Sequence, residues 1–290
     1  VKLLITGGAG SIGSAFALHM ARIGHDVRVM DVNEEGLWGL QNECPSIDCR
    51  LGDVQYHMDV FEAMQGIEVV VHCAAYKHVH LCERARNAAY RVNVEGTKNV
   101  LLEAGSRRFV LLSTDKAIGP VSIMGQSKQA AEIAVRAAQN SNIVRFGNVI
   151  GSRGSLVPAV QRYAEAGRPI QLTDPSMTRF MMTIDEAVGI ITDAVIVPTS
   201  GMIIGPKELK SARIGEFVEV CRDRIAPGME IEVSGRRIGE AQHESFYDHE
   251  GKLVNSNQVR FLLNRQGIGE LLDRAGYGVT MSKGRRKPAL

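Results

Sequence analysis

Residues 113–117 read Ser-Thr-Asp-Lys-Ala, so a carboxyl at Asp115 stands beside an amine at Lys116, with the Thr114 hydroxyl one position before. Adjacent acid and base couple their titrations, and such a pair suits proton transfer. A second constellation, near the N-terminus, has a different chemistry. Thr6-Gly7-Gly8-Ala9-Gly10-Ser11-Ile12-Gly13 follows a T-G-x-x-G-x-x-G spacing. Gly7 permits a tight turn, Gly10 lets backbone approach a pyrophosphate, and Gly13 lets a helix pack closely on a strand. That helix, entered at Ser11 and Ile12, offers amide donors and the positive end of its dipole. Asp31 lies eighteen residues past Gly13, at the end of an apolar run. Its carboxylate can accept two ribose hydroxyls of an adenosine and repels a 2′-phosphate, which favours NAD and leaves NADP as the alternative. Gly52-Asp53-Val54 comes next. Asp53 either accepts from the adenine amino group or forms an Asx turn ahead of the following helix.

These residues need elements to position them. Short apolar strands are expected at Lys2–Thr6, His25–Met30, Ile47–Leu51, Glu68–His72, Arg108–Ser113 and Ile143–Phe146. Helices are expected from the glycine run to Ile23, at His57–Met64, over Ala85–Ala104 and from Gly125 to Ala138. Strands of four to six residues alternating with longer helices indicate βαβ units. The fold class is therefore α/β, a Rossmann-type doubly wound parallel sheet, with a smaller C-terminal substrate-binding lobe. The expected domains are 1–150, binding NAD(P), and 151–290, with 183–205 returning to the sheet. Past residue 150 the rhythm loosens. Helices are expected at Ser155–Ala166, Ile184–Ile196 and Arg213–Ile225, and strands at Gly201–Gly205 and Met229–Val233.

Composition narrows the function classes. The 290 residues carry 34 Lys and Arg against 32 Asp and Glu, a formal charge of +2, so no basic field points to nucleic acid. The basic run Lys283-Gly284-Arg285-Arg286-Lys287 reads as a solvated chain end. No apolar stretch reaches the ~20 residues that span a bilayer. The start, Val1-Lys2-Leu3-Leu4-Ile5, reads as a strand rather than a signal peptide. Five cysteines without a C-x-x-C pair fit a reducing cytoplasm, and no His/Cys cluster implies a metal.

Eight blocks together resemble a known family. They are Gly7–Ser14; His72-Cys73-Ala74-Ala75-Tyr76-Lys77-His78-Val79; Asn93-Val94-Glu95-Gly96-Thr97-Lys98-Asn99-Val100; Ser113-Thr114-Asp115-Lys116-Ala117; Val144-Arg145-Phe146-Gly147-Asn148-Val149; Gly151–Ser155; Thr173-Asp174-Pro175-Ser176-Met177-Thr178-Arg179-Phe180; and Arg237-Ile238-Gly239-Glu240-Ala241-Gln242-His243-Glu244. In this order they resemble extended short-chain dehydrogenases/reductases, and more narrowly the CapD-type UDP-N-acetylglucosamine 4,6-dehydratases of polysaccharide biosynthesis. The last ~45 residues match that family poorly. Its larger members carry an N-terminal membrane region, so the chain resembles a soluble compact member or an isolated catalytic domain.

The resemblance implies a redox-neutral elimination. NAD takes hydride from C4 of the sugar, the resulting ketone acidifies C5–H, water leaves from C5 and C6, and hydride returns to C6. Lys116 then removes the C5 proton and Asp115 protonates the departing O6, which requires an uncharged amine and a protonated carboxyl. The short-chain Y-x-x-x-K pair is here Met124-Gly125-Gln126-Ser127-Lys128. A thioether exchanges no proton, so Met124 contributes packing and substrate contact. The O4 base is one of Asp115, Lys116, the Thr114 hydroxyl or a water held by Lys128. Lys128 bonds the nicotinamide ribose; Ala74, Ala75, Lys77 and Asn93 border the cofactor.

By the same resemblance, Lys77, His78, Asn148 and Arg153 contact a UDP-N-acetyl-hexosamine, with His78 as an ordinary loop histidine the alternative. Arg179 and Arg237 take the diphosphate, whose oxygens match a guanidinium fork. Glu240 accepts uridine-ribose hydroxyls, and His243 is structural. A homo-oligomer is implied. Rival readings are a 4-epimerase, a 5,6-dehydratase or a non-catalytic NAD-binding regulator. Whether C5 is retained or inverted stays open.

Overall fold

A computed structural model describes residues 1–197, 199–248 and 250–278. The basic run at 283–287 lies outside the described residues. The chain divides into two compact units, Val1–Arg145 with Val188–Gly205, and Phe146–Ala187 with the chain from Pro206.

The first unit is built on apolar strands β1 (Lys2–Thr6), β2 (Asp26–Asp31), β3 (Asp48–Leu51), β4 (Val69–His72), β5 (Arg108–Thr114) and β6 (Ser141–Phe146). A seventh strand, Met202–Ile204, joins them in the order 202–204, β6, β5, β4, β1, β2, β3. Pairing is parallel between β1 and β2, β1 and β4, β2 and β3, β4 and β5, and β6 and Met202–Ile204. The order reverses between β1 and β4. Open α/β sheets bind ligands at that switch point, outside the carboxyl ends of their strands. Helices α1 (Ser11–Arg22), α2 (Glu34–Glu43), α3 (His57–Ala63), α4 (Val79–Arg84), α5 (Arg86–Tyr90), α6 (Thr97–Ala104) and α7 (Ile123–Arg136) connect the strands. Leu4, Met30, Val70, Val100, Phe109, Leu111, Val135 and Ile143 form much of the buried core.

In the first unit, two stretches differ from expectation. The sequence reading contains no helix between β2 and β3, yet α2 forms there on an Asn33 cap whose side chain accepts from Gly36 N at 3.0 Å. The single helix expected over Ala85–Ala104 is two helices joined by a π-turn, Arg91–Gly96, with α4 preceding them. The π-turn carries Asn93, which is buried.

The second unit holds short strands, among them Asn148–Val149, Thr178–Met182 and Lys210–Arg213, and the helices Leu156–Glu165 and Ile214–Ile225. The helix Ile184–Ile196 starts at Thr183 with a capping box: Glu186 N donates to Thr183 Oγ1 at 3.2 Å, and Thr183 N donates to Glu186 Oε2 at 2.9 Å. A helix absent from the sequence reading, Arg265–Arg274, puts Ile268, Leu271 and Leu272 into the core with Phe217, Val218 and Met181. All five cysteines are free thiols. No helix among the described residues is long and apolar enough to cross a membrane.

Candidate active site

The glycine turn after β1 meets the chain leaving β4 at the switch point. Gly7 has φ +66°, and a Cβ there would lie 2.5 Å from Ala74 N. A Cβ on Gly13 would lie 2.5 Å from Gly7 O, so α1 sits directly on the turn. Both positions exclude a side chain. Gly10 N donates to Gly7 O at 3.0 Å, and Gly10 is the residue before α1. Asp31 closes β2, where its carboxylate accepts from Ala9 N and from Asn33 N, each at 3.0 Å. These bonds aim the carboxylate while each oxygen keeps a lone pair. Asp53 forms the Asx turn: its carboxylate accepts from Gln55 N and Gln55 Nε2, each at 2.9 Å. Val54 is buried. A fixed carboxylate, a glycine turn without side chains and a helix N-terminus are the donor set that a dinucleotide requires, and they fit NAD.

At the end of β5 the chain enters a single 3₁₀ turn, Asp115–Ala117. Asp115 is fully buried. Its Oδ1 accepts from Thr114 Oγ1 at 2.8 Å and from Lys116 Nζ at 2.9 Å. Its Oδ2 is buried with no hydrogen-bond partner among the described residues. An orphaned carboxylate oxygen is costly to bury, and here it sits beside the two groups able to exchange protons with it. Helix α7 braces the turn from one side. A Cβ on Gly125 would run into the carbonyl oxygen of Lys116, so only glycine allows this approach.

Helix α7 also carries Met124 and Lys128. Met124 is buried in an apolar cluster with Cys82 and Ala89. Lys128 is buried and donates from Nζ to Leu112 O. Burial pushes its ammonium down to about 8, against the opposing attraction of Glu132. Glu132 is held by Ser113 Oγ and by Arg145, which locks α7 to β5 and β6.

A buried line of hydrogen bonds joins β1, β4, the π-turn and α7. Thr97 Oγ1 donates to Asn93 O at 2.7 Å, so toward His72 it accepts. His72 therefore donates from Nε2, at 2.9 Å, and its Nδ1 accepts from Thr6 Oγ1 at 2.6 Å. Burial, with the Lys128 charge adding to it, pushes the His72 ring down to about 3, so the imidazole is neutral. Asn93 Oδ1 accepts from Tyr76 N at 2.7 Å, and its Nδ2 donates to Tyr76 O and Ser127 Oγ. Asn93 thus fixes the loop bearing Ala74, Ala75 and Lys77. The sequence reading singled out neither Ser127 nor His72 for this framework, though a histidine closing the apolar run Val69–His72 was a signal. Lys77 and His78 are exposed, with His78 just before α4.

In the second unit, Asn148 lies on the strand paired with Thr178–Met182, opposite Met181. Arg153 is exposed. Arg237 and Glu240 end one turn: Glu240 N donates to Arg237 O at 3.1 Å, Arg237 N donates to Glu240 Oε2 at 3.1 Å, and Gly239 has φ +83°. Arg179 is buried. Its two terminal nitrogens donate to Thr178 O, Gln242 O, Ala241 O and Met177 Sδ, and its Nε lies 3.5 Å from Glu244 Oε1. The guanidinium expected on a diphosphate is thus engaged on all sides by its own unit. His243 Nδ1 meets Thr178 Oγ1 at 2.8 Å, in a network with Ser256. No group of three or more metal-ligating side chains occurs among the described residues.

A family model described as polysaccharide biosynthesis protein matches residues 3–263. The chain belongs to that family. It is similar to an uncharacterised membrane protein of Methanocaldococcus jannaschii, 37% identical over 83% of this chain and 79% of the relative. It is 32% identical to the capsular polysaccharide biosynthesis protein CapD of Staphylococcus aureus, over 89% of this chain but only 45% of that relative's length. A UDP-glucose 4-epimerase of Rickettsia massiliae is 31% identical over 99% of this chain and 88% of the relative. Among solved structures, Pen from Bacillus thuringiensis has TM-score 0.88 at 26% identity, covering 95% of this chain and 98% of that one. The dTDP-glucose 4,6-dehydratase DesIV from Streptomyces venezuelae, solved with NAD and TYD bound, has TM-score 0.76 at 22% identity over 98% and 93%. The last likeness concerns the fold: the seven-stranded parallel sheet is of the Rossmann type.

Proposed function

We propose that the chain is a nucleotide-sugar dehydratase, a UDP-N-acetylglucosamine 4,6-dehydratase forming a UDP-4-keto-6-deoxy-N-acetylhexosamine. The observation that carries this reading is the buried Asp115, with one oxygen bonded by Thr114 and Lys116 and the other without a hydrogen-bond partner among the described residues. Exchange at C4 alone needs one proton acceptor at O4. Elimination across C5 and C6 also needs a base for C5–H and an acid for O6. Adjacent amine and carboxyl meet that demand: Lys116 takes the C5 proton while Asp115 delivers one to the leaving oxygen. Met124 takes no proton, and the O4 base is the Thr114 hydroxyl or a neighbour in the same cluster.

NAD, held by Gly7, Gly10, Gly13 and Asp31, supplies the hydride acceptor and donor when bound; the Asp31 carboxylate, which repels a 2′-phosphate, favours it over NADP. Lys128 and the loop fixed by Asn93 position it. Arg153, Arg237 and Glu240 bind the UDP moiety through the second unit. Five free thiols support a cytoplasmic setting, and a homo-oligomer without nucleic-acid partners completes the proposal.

A 4-epimerase is the second reading, favoured by the Rickettsia relative. Incubating the protein with UDP-N-acetylglucosamine and NAD in deuterated water, followed by NMR, separates the two. A 4-keto product with a C6 methyl group and solvent deuterium at C5 supports dehydration, and the couplings among the remaining ring protons report retention or inversion. A C4 epimer with its C6 hydroxyl intact overturns it in favour of the second reading.

A further inference from the structure

We propose that Arg179 is a positioning residue that holds the Arg237–Glu240 turn in place from behind. This rests on the functional reading only where it concerns UDP. Four features of the second unit carry it. The turn is followed directly by Ala241 and Gln242, whose carbonyl oxygens accept from Arg179 at 2.8 and 3.3 Å. Thr178 N donates to Gln242 O at 3.1 Å, and Thr178 bridges His243, so the strand bearing Arg179 zips onto this segment. Gln242 Nε2 donates to Ser176 Oγ at 2.6 Å, which in turn donates to Asp174 Oδ1 at 2.6 Å. Arg236, just before the turn, places Nε 3.7 Å from Asp174 Oδ2.

The burial pattern separates the two arginines. Arg179 is buried with Glu244 beside it, whereas 232–238 are exposed and end on Arg237 and Ile238. A planar fork with five N–H donors can serve this set of acceptors at once. An ammonium cannot, because its three hydrogens radiate from one point. Arg179 therefore acts on a ligand through the backbone at 241–242, and Arg237 and Glu240 make the contact.

The test compares Arg179→Lys, Arg237→Ala and the double variant. Trypsin cleavage after Arg236 and Arg237 in the folded protein reports loop opening, because proteolysis tracks the population of the open form. Arg179→Lys is expected to speed that cleavage about tenfold while the rest of the protein resists as in the wild type. Unchanged cleavage overturns the proposal. If Arg179→Lys does not fold, Glu244→Gln loosens the same fork and is expected to speed cleavage about threefold.

Affinity for UDP is read in parallel by calorimetry. Both single variants are expected to bind UDP more weakly, and the double variant to lose less affinity than the sum of the two single losses. Fully additive losses mean that Arg179 touches the ligand itself, and overturn the proposal. Wild-type protein that does not bind UDP sinks the functional reading instead, and the cleavage result still decides the role of Arg179.

Discussion

Two buried polar side chains, Asp115 after β5 and Arg179 in the second unit, treat their surroundings in opposite ways. Asp115 crowds its partners onto one oxygen and leaves the other without a hydrogen-bond partner among the described residues. Arg179 has an acceptor or a carboxylate at each of its three nitrogens. A saturated ion is expensive to disturb and gains nothing from a ligand, so it serves as scaffold. An ion with an unmet valence gains from the arrival of a proton or a polar group, so it serves chemistry. Burial alone does not distinguish the two; the count of satisfied donors and acceptors does.

The largest expected effect tests the unsaturated side of that contrast. Lys116→Ala should abolish formation of the 6-deoxy product, by a factor of about 10³, with NAD binding intact. Product formed at the wild-type rate would remove the acid–base pair from the mechanism. Next comes the brace behind it. Gly125→Ala adds a methyl against Lys116 O, and displacing the turn by a fraction of an ångström should slow product formation about 100-fold. A full-speed Gly125→Ala enzyme would show that turn geometry is irrelevant.

Asp31→Ala addresses a carboxylate already oriented by two amides. It should lower the preference for NAD over NADP about tenfold, measured as a ratio of binding constants. An unchanged ratio argues against ribose recognition by Asp31.

The smallest effect concerns stability. Lys128 falls from its ordinary 10.5 to about 8 on burial, so between these values the unfolded chain binds a proton that the folded one lacks. Stability contributed at this position therefore rises with pH across that window. In Lys128→Met the rise should disappear, shifting the alkaline dependence of Tm by on the order of a few °C. Identical pH profiles would mean that Lys128 stays charged in the fold. His72, held near 3, works in the same direction at lower pH: stability falls as pH drops from about 6.5 toward 3.

The first unit was largely legible in its sequence. Strands such as Val69–His72 are continuous apolar runs, and Asp31 and the glycine turn follow them at fixed spacing. Helix α2 escaped because it has two internal glycines and buries only Leu37 and Leu40, too sparse a pattern to read. Its Asn33 cap was the available signal. The helix Arg265–Arg274 escaped although Asn264 caps it and Ile268, Leu271 and Leu272 follow helical spacing; its two internal glycines and polar composition weaken the pattern. The π-turn had no local signature, since one extra residue per turn alters neither composition nor polarity.

By itself, the sequence determined the parallel sheet, the dinucleotide turn, the adjacency of Asp115 and Lys116, and the absence of a proton-bearing group at Met124. These depend on neighbours along the chain, where periodicity and residue type act directly. Only the tertiary structure decided that Asp115 has an unpartnered oxygen, that Gly125 braces Lys116, and that Arg179 turns inward while Arg237 stays exposed. Arg179 meets Ala241 across 62 residues and Asn93 meets Ser127 across 34. Which donor finds which acceptor over such separations is set by how the elements pack, and no local pattern records it.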